Sequence, residues 1–96
     1  HDLKEADDVI VNISQKTVKQ RMAEAFLYLQ NNFGEDADGF LALTLSREDI
    51  SNVVGTATES AIRIISEFKK KGLIHTSGKK IGIKNQQKLL EMVEGF

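Results

Sequence analysis

The sequence contains no cysteine, which excludes disulfides, thiolate zinc sites and iron–sulfur ligation within its 96 residues. No apolar run approaches the ~20 residues that a membrane-spanning helix requires, and no segment resembles a signal peptide. There are no prolines, no low-complexity segments and no internal repeats. These absences favour a cytoplasmic protein with no part in a membrane.

Catalytic and metal-binding patterns are missing as well. The two histidines, His1 and His75, are isolated, there is no glycine-rich phosphate loop, and the carboxylates are scattered over surface-like positions. A metal site would need ligands at spacings that this sequence does not supply. We therefore expect no enzyme activity, no metal and no cofactor in this segment.

The length is that of one domain, and 41% hydrophobic residues are enough to bury a core. Because the first residue is His1 rather than Met, we expect a fragment of a longer protein.

Charge is distributed unevenly along the chain, although the formal net charge is only −1. Residues 1–43 carry four basic and eight acidic side chains, whereas residues 44–84 carry eight basic and four acidic ones. The location of positive charge, more than the total, determines where a polyanion docks. Lys69–Lys71 alone would be explained as a complement to a helix C-terminus, but Arg47, Arg63 and a second lysine cluster favour an anionic partner.

The segment from Leu45 to Ile74 is the most informative part of the chain. Two capping-box spacings predict helix starts, Ser46 with Asp49 and Thr56 with Glu59. Gly55 and Gly72 predict the helix ends, and the second helix is expected from about Ala57 to Lys71. Inward-facing residues are predicted at Ile50, Val53, Val54, Ala61, Ile64, Ile65 and Phe68. Two short helices joined by a tight turn are typical of a helix-turn-helix, whose second helix lies in the major groove of DNA.

The flanking segments complete a small fold. Apolar residues spaced by three and four predict a helix from Thr17 to Phe33, and a short strand is expected at Phe40–Leu43. A hairpin is expected from strands at Leu73–Thr76 and Ile81–Lys84 around a Ser77-Gly78 turn, followed by a helix capped by Asn85. This order predicts a mainly α fold with a small β-hairpin (α+β), a winged helix-turn-helix.

The candidate base-reading residues lie on the outer face of the second helix: Thr58, Glu59, Ile62 and Arg63. A glutamate can accept a hydrogen bond from a cytosine amino group, and an arginine one turn later can donate two to guanine O6 and N7. Glu59 and Arg63 would then read one G·C pair, and Ile62 would contact either a thymine methyl or a protein.

Simpler explanations of this pair stay open at the level of the sequence. Glu59 and Arg63 are spaced as a routine helix-surface ion pair, worth about 0.2–0.5 kcal/mol. Glu59 would also be explained by the capping box alone.

Candidate phosphate contacts are Ser46, Arg47, Ser60, Lys79 and Lys80. Helix N-termini offer free N–H groups to anions. Exposed serines and lysines are often merely solvated, so each residue is weak evidence by itself.

The stretch LSREDISNVVGTATESAIRIISEFKKKGLI, followed by HTSGKKIGI, resembles the C-terminal DNA-binding domain of Crp/Fnr-type bacterial transcription regulators. The shared elements are an L-[ST]-R-x-[DE]-I start, a V-G turn, an E-[ST]-x-x-R recognition helix and a G-L-I entry into a G-K wing. Upstream, ISQKTVKQRMAEAFLYL resembles the helix that follows the family's long dimerisation helix.

The resemblance implies that residues 1–13 are the end of the dimerisation helix or a linker and that residues 14–96 are the DNA-binding domain. It implies a homodimer on an inverted-repeat operator, with a sensor domain, of unknown effector, preceding this segment. It carries base reading onto Glu59 and Arg63, and phosphate contact onto Ser46, Arg47 and Ser60.

The chain departs from the cyclic-AMP receptor branch of the family at Thr58, where that branch has an arginine, and is closer to the Fnr-like branch. Ile62 departs from the small polar residue common in that branch. The acidic loop Glu35–Gly39 falls where the family can contact RNA polymerase, although a solvated loop is the simpler interpretation. The alternative function is a winged-helix module that binds protein and not DNA.

Overall fold

The computed structural model describes residues 16–95. This part contains four helices and a two-stranded antiparallel sheet. In chain order they are α1 (Val18–Phe33), α2 (Arg47–Val54), α3 (Thr58–Lys70), β1 (Ile74–Ser77), β2 (Lys80–Ile83) and α4 (Gln86–Glu94). The order confirms the predicted winged helix-turn-helix, while the dimerisation helix expected at residues 1–13 lies outside the described residues.

Side-chain caps begin three of the four helices of residues 16–95. The capping side chains are Thr17 before α1, Ser46 before α2 and Asn85 before α4, each accepting a backbone N–H of the first turn. The boxes of Thr17 with Gln20 and of Ser46 with Asp49 are complete in both directions. These caps satisfy donors that a helix start otherwise leaves unpaired.

The capping box predicted for Thr56 with Glu59 is wrong. The residue before α3 is Ala57, and no side chain caps this helix. The Thr56 N–H donates to the Ser51 carbonyl at 3.0 Å, so Thr56 still belongs to the turn and the helix begins one residue too late for the box.

Gly55 makes the sharp turn between α2 and α3. Its φ of 81° and ψ of 43° lie in the left-handed region, which costs a side-chain-bearing residue strain that glycine avoids. The Gly55 N–H donates to the Ser51 carbonyl at 2.8 Å, which closes α2 and sends the chain into α3.

The predicted inward face of α3 is confirmed, since it is buried over its whole length. Its members are Ala61, Ile64, Ile65 and Phe68, all at most 4% exposed. Phe68 meets Phe26 of α1 edge to face, with ring centroids 6.3 Å apart. Buried Leu73, Ile74, Ile81 and Leu89 extend this core under the hairpin and α4.

Val53 is a wrong assignment to the core, because its side chain is 65% exposed. Ile50, Ser51 and Val54 form the buried face of α2. At 100° per residue this face is centred between Ile50 and Ser51, which leaves Val53 about 110° away from its centre. The third buried residue of α2 is therefore the polar Ser51, where the sequence pattern had predicted Val53.

The hairpin pairs Ile74 with Ile83 and Ser77 with Lys80, so Gly78 and Lys79 form its two-residue turn. The expected Ser77-Gly78 turn is therefore one residue early.

No regular strand forms at Phe40–Leu43. The segment makes one isolated bridge, between Glu35 and Leu41, and the Leu41 N–H donates to the Ile81 carbonyl at 2.8 Å. Buried Leu41 thereby anchors the loop after α1 to the wing.

Within residues 16–95, the helices are too short or too polar to cross a bilayer. The same residues bring no three His, Asp or Glu side chains together in the manner of a metal site.

Candidate nucleic-acid interface

The outer face of the first two turns of α3 carries three exposed candidates, Glu59, Ile62 and Arg63. Burial of the opposite face against α2, α1 and the hairpin fixes this outward orientation, because residues on the two sides of one helix cannot turn independently. Ile62 is 47% exposed, a high value for a large aliphatic side chain. A carboxylate, a guanidinium and an aliphatic surface therefore stand side by side on a rigid helix.

The charged groups of Glu59 and Arg63 are not paired with each other. The ion pairs found within residues 16–95 are Lys16–Glu24, Lys19–Glu67, Lys71–Glu67 and Lys80–Asp36. Glu59 takes no part in a capping box either, since Ala57 provides no cap. Neither of the simpler explanations for this pair is realised in the fold.

Thr58 differs from its three neighbours in the predicted set. Its side chain is half-buried, and its Oγ1 lies 3.2 Å from the hydroxyl oxygen of Ser51. The sequence places Thr58 on the outer face, yet its polar atom contacts α2.

The start of α3 leaves backbone donors free for an anion. The first intrahelical bond of this end is from the Ala61 N–H to the Ala57 carbonyl, at 3.0 Å, and no side chain caps the N–H groups before it. Half-buried Ser60 lies in this turn. Uncapped N–H groups together with the helix dipole favour a phosphate.

Arg47, at the start of α2, is hydrogen-bonded to the turn of the hairpin. Its two terminal nitrogens donate to the carbonyls of Gly78 at 3.1 Å and Lys79 at 3.4 Å. A guanidinium has five N–H donors, so this contact leaves others for a phosphate. The neighbouring Ser46 hydroxyl accepts from the Asp49 N–H at 3.0 Å and keeps its own proton for donation.

The two wing lysines have different surroundings. Lys79 is exposed at the turn itself. The Lys80 ammonium lies 3.8 Å from the Asp36 carboxylate and 5.9 Å from the centre of the Phe40 ring. The backbone N–H of Phe40, foremost, and also Lys80 lower the pKa of the Asp36 carboxyl. Lys80 would have to leave an exposed ion pair to reach a phosphate, a change that costs little.

Two residues that sequence reasoning missed hold the helix-turn-helix in place. The Arg21 Nε donates to the Val54 carbonyl at 2.9 Å and so satisfies the C-terminal end of α2. Ser51, 1% exposed, bonds the turn through its backbone and its hydroxyl. A lone serine beside the apolar residues of α2 was the available signal for Ser51, whereas nothing in the sequence indicates where Arg21 reaches.

An exposed recognition surface on α3, flanked by Arg47 and a basic hairpin, defines a winged helix-turn-helix domain of the DNA-binding class. Residues 20–92 match the family model of the Crp-like helix-turn-helix domain. The chain belongs to this family, the DNA-binding domain of CRP/FNR transcription regulators. A DNA-binding domain is consistent with the prediction that this segment has no enzyme activity.

The relatives of this chain are regulators. It is 33% identical over 96 residues to the fumarate and nitrate reduction regulatory protein of Escherichia coli K12, covering 95% of this chain and 37% of that protein. It is 36% identical over 86 residues to electron transport regulator A of Shewanella oneidensis, covering 85% and 34% respectively. The chain thus spans just over a third of the length of these relatives.

The fold is also that of solved regulators. A CRP/FNR-family transcriptional regulator from Thermus thermophilus superposes with a TM-score of 0.77 at 26% identity, covering 97% of this chain and 48% of that one.

Proposed function

We propose that this domain binds one half-site of an inverted-repeat operator, with α3 in the major groove. The observation that carries the proposal is the set of Glu59, Ile62 and Arg63, exposed together on the first two turns of a helix that is buried on its other side. Within residues 16–95 neither charged side chain of this set makes an ion pair. Those turns are the part of a recognition helix that meets base edges.

Each of the three side chains has a distinct task in this proposal. The Glu59 carboxylate accepts from a cytosine amino group, and Arg63 donates two bonds to guanine O6 and N7, so that together they select one G·C pair. Ile62 packs on a thymine methyl.

Phosphate contacts fix the helix in its groove and carry no sequence information. Ser46 and Arg47 serve one flank, Ser60 and the uncapped N–H groups of α3 serve the middle, and Lys79 and Lys80 serve the wing. Positive charge concentrated in residues 44–84 makes this binding dependent on salt.

The organisation of the whole protein is a separate proposal, because this chain spans just over a third of the length of its relatives. We infer a cytoplasmic homodimer that pairs two such domains on the two halves of the operator. The loop Glu35–Gly39, which lies beside the wing, is proposed as a contact with RNA polymerase.

A salt titration of binding to duplex DNA tests the proposal against the alternative of a protein-binding module. The logarithm of the affinity for a selected half-site should fall linearly with the logarithm of the salt concentration. Absence of binding at low salt to every member of an inverted-repeat library would favour the module.

Two variants separate the assigned roles. Arg63→Ala should lose about 1–3 kcal/mol of discrimination at one base pair, whereas Lys80→Ala should weaken all sequences alike and lower the salt slope by about one. Equal losses on all sequences from both variants would contradict the base-reading role of Arg63.

A further inference from the structure

Ser51 is the centre of the turn between the two helices of the helix-turn-helix. Its carbonyl accepts the N–H groups of Gly55 at 2.8 Å and Thr56 at 3.0 Å. Its hydroxyl lies 2.6 Å from the Glu48 carbonyl and 3.2 Å from the Thr58 Oγ1. One almost fully buried serine therefore touches α2, the turn and the first residue of α3.

The direction of the hydrogen bond between the two hydroxyls follows from counting protons. A serine hydroxyl has one proton, and that of Ser51 is directed to the Glu48 carbonyl, because a carbonyl oxygen can only accept. Thr58 must then be the donor and Ser51 the acceptor. The single proton of Thr58 is committed to α2 and is not available to a base.

The start of α3 needs such a contact more than the other helix starts do. Thr17, Ser46 and Asn85 cap the other helices that begin within residues 16–95, whereas Ala57 gives α3 no cap. The bond from Thr58 to Ser51 fixes the first turn of α3 while leaving its backbone N–H groups open. A conventional cap would hold the turn by occupying those donors.

We propose that the Ser51–Thr58 hydroxyl pair positions the recognition helix, and that Thr58 is a positioning residue that donates no hydrogen bond to a base. This inference rests on the proposed DNA binding, and it removes Thr58 from the predicted base-reading set of this chain. Glu59 and Arg63, directed outward from the same turns, keep their roles.

The test compares Thr58→Val, Ser51→Ala and the double variant, with Thr58→Ser as the variant that keeps the hydroxyl and Thr44→Val as a control for loss of an exposed threonine hydroxyl. Binding is measured on a half-site library randomised at every position, well below the unfolding temperature of each variant. Thermal unfolding of the same set gives the coupling between the two hydroxyls without DNA.

Thr58→Val and Ser51→Ala should each weaken binding to all sequences by about threefold to tenfold, the effect of one net hydrogen bond. The base-preference profile should stay as in the wild type, and the double variant should lose no more than either single one. Thr58→Ser should bind as the wild type does. Ser51 is buried in α2, so a loss shared with it cannot come from a base contact of Thr58.

Three results would overturn the inference. They are a changed preference at one base position in Thr58→Val but not in Ser51→Ala, losses that multiply in the double variant, and full affinity in all three variants. If the wild type binds no sequence at low salt, the proposed function itself fails, and the role of the pair in DNA binding fails with it. The first three results leave the proposed function intact, so the two failures are distinguishable.

Discussion

Single residues in this domain decide how closely two backbone segments approach. Gly82 in β2 is buried, lies beneath the ring of His75 and faces the carbonyl of Gly39. The His75 ring in turn packs on Phe40, with ring centroids 4.7 Å apart. The absence of a side chain at position 82 therefore lets the loop after α1 lie flat against the wing.

Gly82→Ala is expected to destabilise the domain by about 1–3 kcal/mol, because the new methyl would meet the Gly39 carbonyl oxygen at 2.5 Å and also the His75 ring. Chemical denaturation measures the loss. Adding His75→Ala should recover only part of it, since the backbone oxygen cannot be trimmed. Gly78→Ala is the matched control: space around Gly78 is open, so only its φ of 61° opposes a side chain. Full recovery in the double variant would contradict the backbone clash.

At the scale of elements, contacts between one helix or strand and the next determine features that local sequence patterns do not predict. The buried face of α3 was predictable because its period is a property of the helix alone. The start of α3 was not, because the Ser51 carbonyl holds Thr56 in the turn. The same holds for the candidate site: exposed Glu59 and Arg63 follow from helix geometry, whereas the inward bond of Thr58 depends on a partner in another helix.

Arg47 is the clearest link between elements at the interface, because it ties the start of α2 to the hairpin turn through two carbonyls. Arg47→Lys keeps the charge but cannot make the forked contact. We expect faster amide hydrogen exchange in β1 and β2 and weaker binding to all sequences, with an unchanged salt slope. Lys69→Arg, at an exposed position on α3, is the control for the exchange of one cation for another. Hairpin exchange that stays at the wild-type rate in Arg47→Lys would show that the wing does not depend on this contact.

Over the whole molecule, ion pairs between distant segments connect the domain's surface charges to its stability. Glu67 of α3 bonds Lys19 of α1 at 2.7 Å and Lys71 at 3.2 Å. Hydrogen bonds from Lys19, foremost, and Lys71 lower the pKa of Glu67 below its ordinary value of 4.5, as the Phe40 N–H does for Asp36 below 3.8. Both carboxylates are therefore favoured in the ionised form by folding.

A carboxyl whose pKa is lower in the folded chain stabilises the fold above its unfolded pKa and loses that contribution as the pH falls through the folded one. The free energy of unfolding should therefore be level with respect to these two groups above about pH 5 and should fall below about pH 4. In Glu67→Gln the free energy of unfolding should differ less between pH 7 and pH 3 than it does in the wild type. Chemical denaturation at each pH measures this difference. Glu94→Gln, which removes a carboxylate outside the ion pairs of residues 16–95, is the control. If both variants reduced this difference equally, net charge and not the ion pairs of Glu67 would explain the loss of stability in acid.

The affinity of one domain is limited by the surface that one half-site offers, and two linked domains overcome that limit. Joining two copies through a parallel dimeric coiled coil placed before His1 makes the second half-site contact intramolecular, which can raise affinity by about 10²–10⁴ without any new contact. The isolated chain should bind a single half-site and an inverted repeat with the same affinity per site, whereas the fused dimer should bind the repeat far more tightly and with about twice the salt slope.

A fusion with a disrupted coiled coil is the control, and lengthening the spacer between the half-sites by five base pairs should abolish the gain, since it rotates one site by half a helical turn. If the isolated chain already bound the repeat as tightly as the fusion, the dimer contacts would have to lie within the 96 residues themselves.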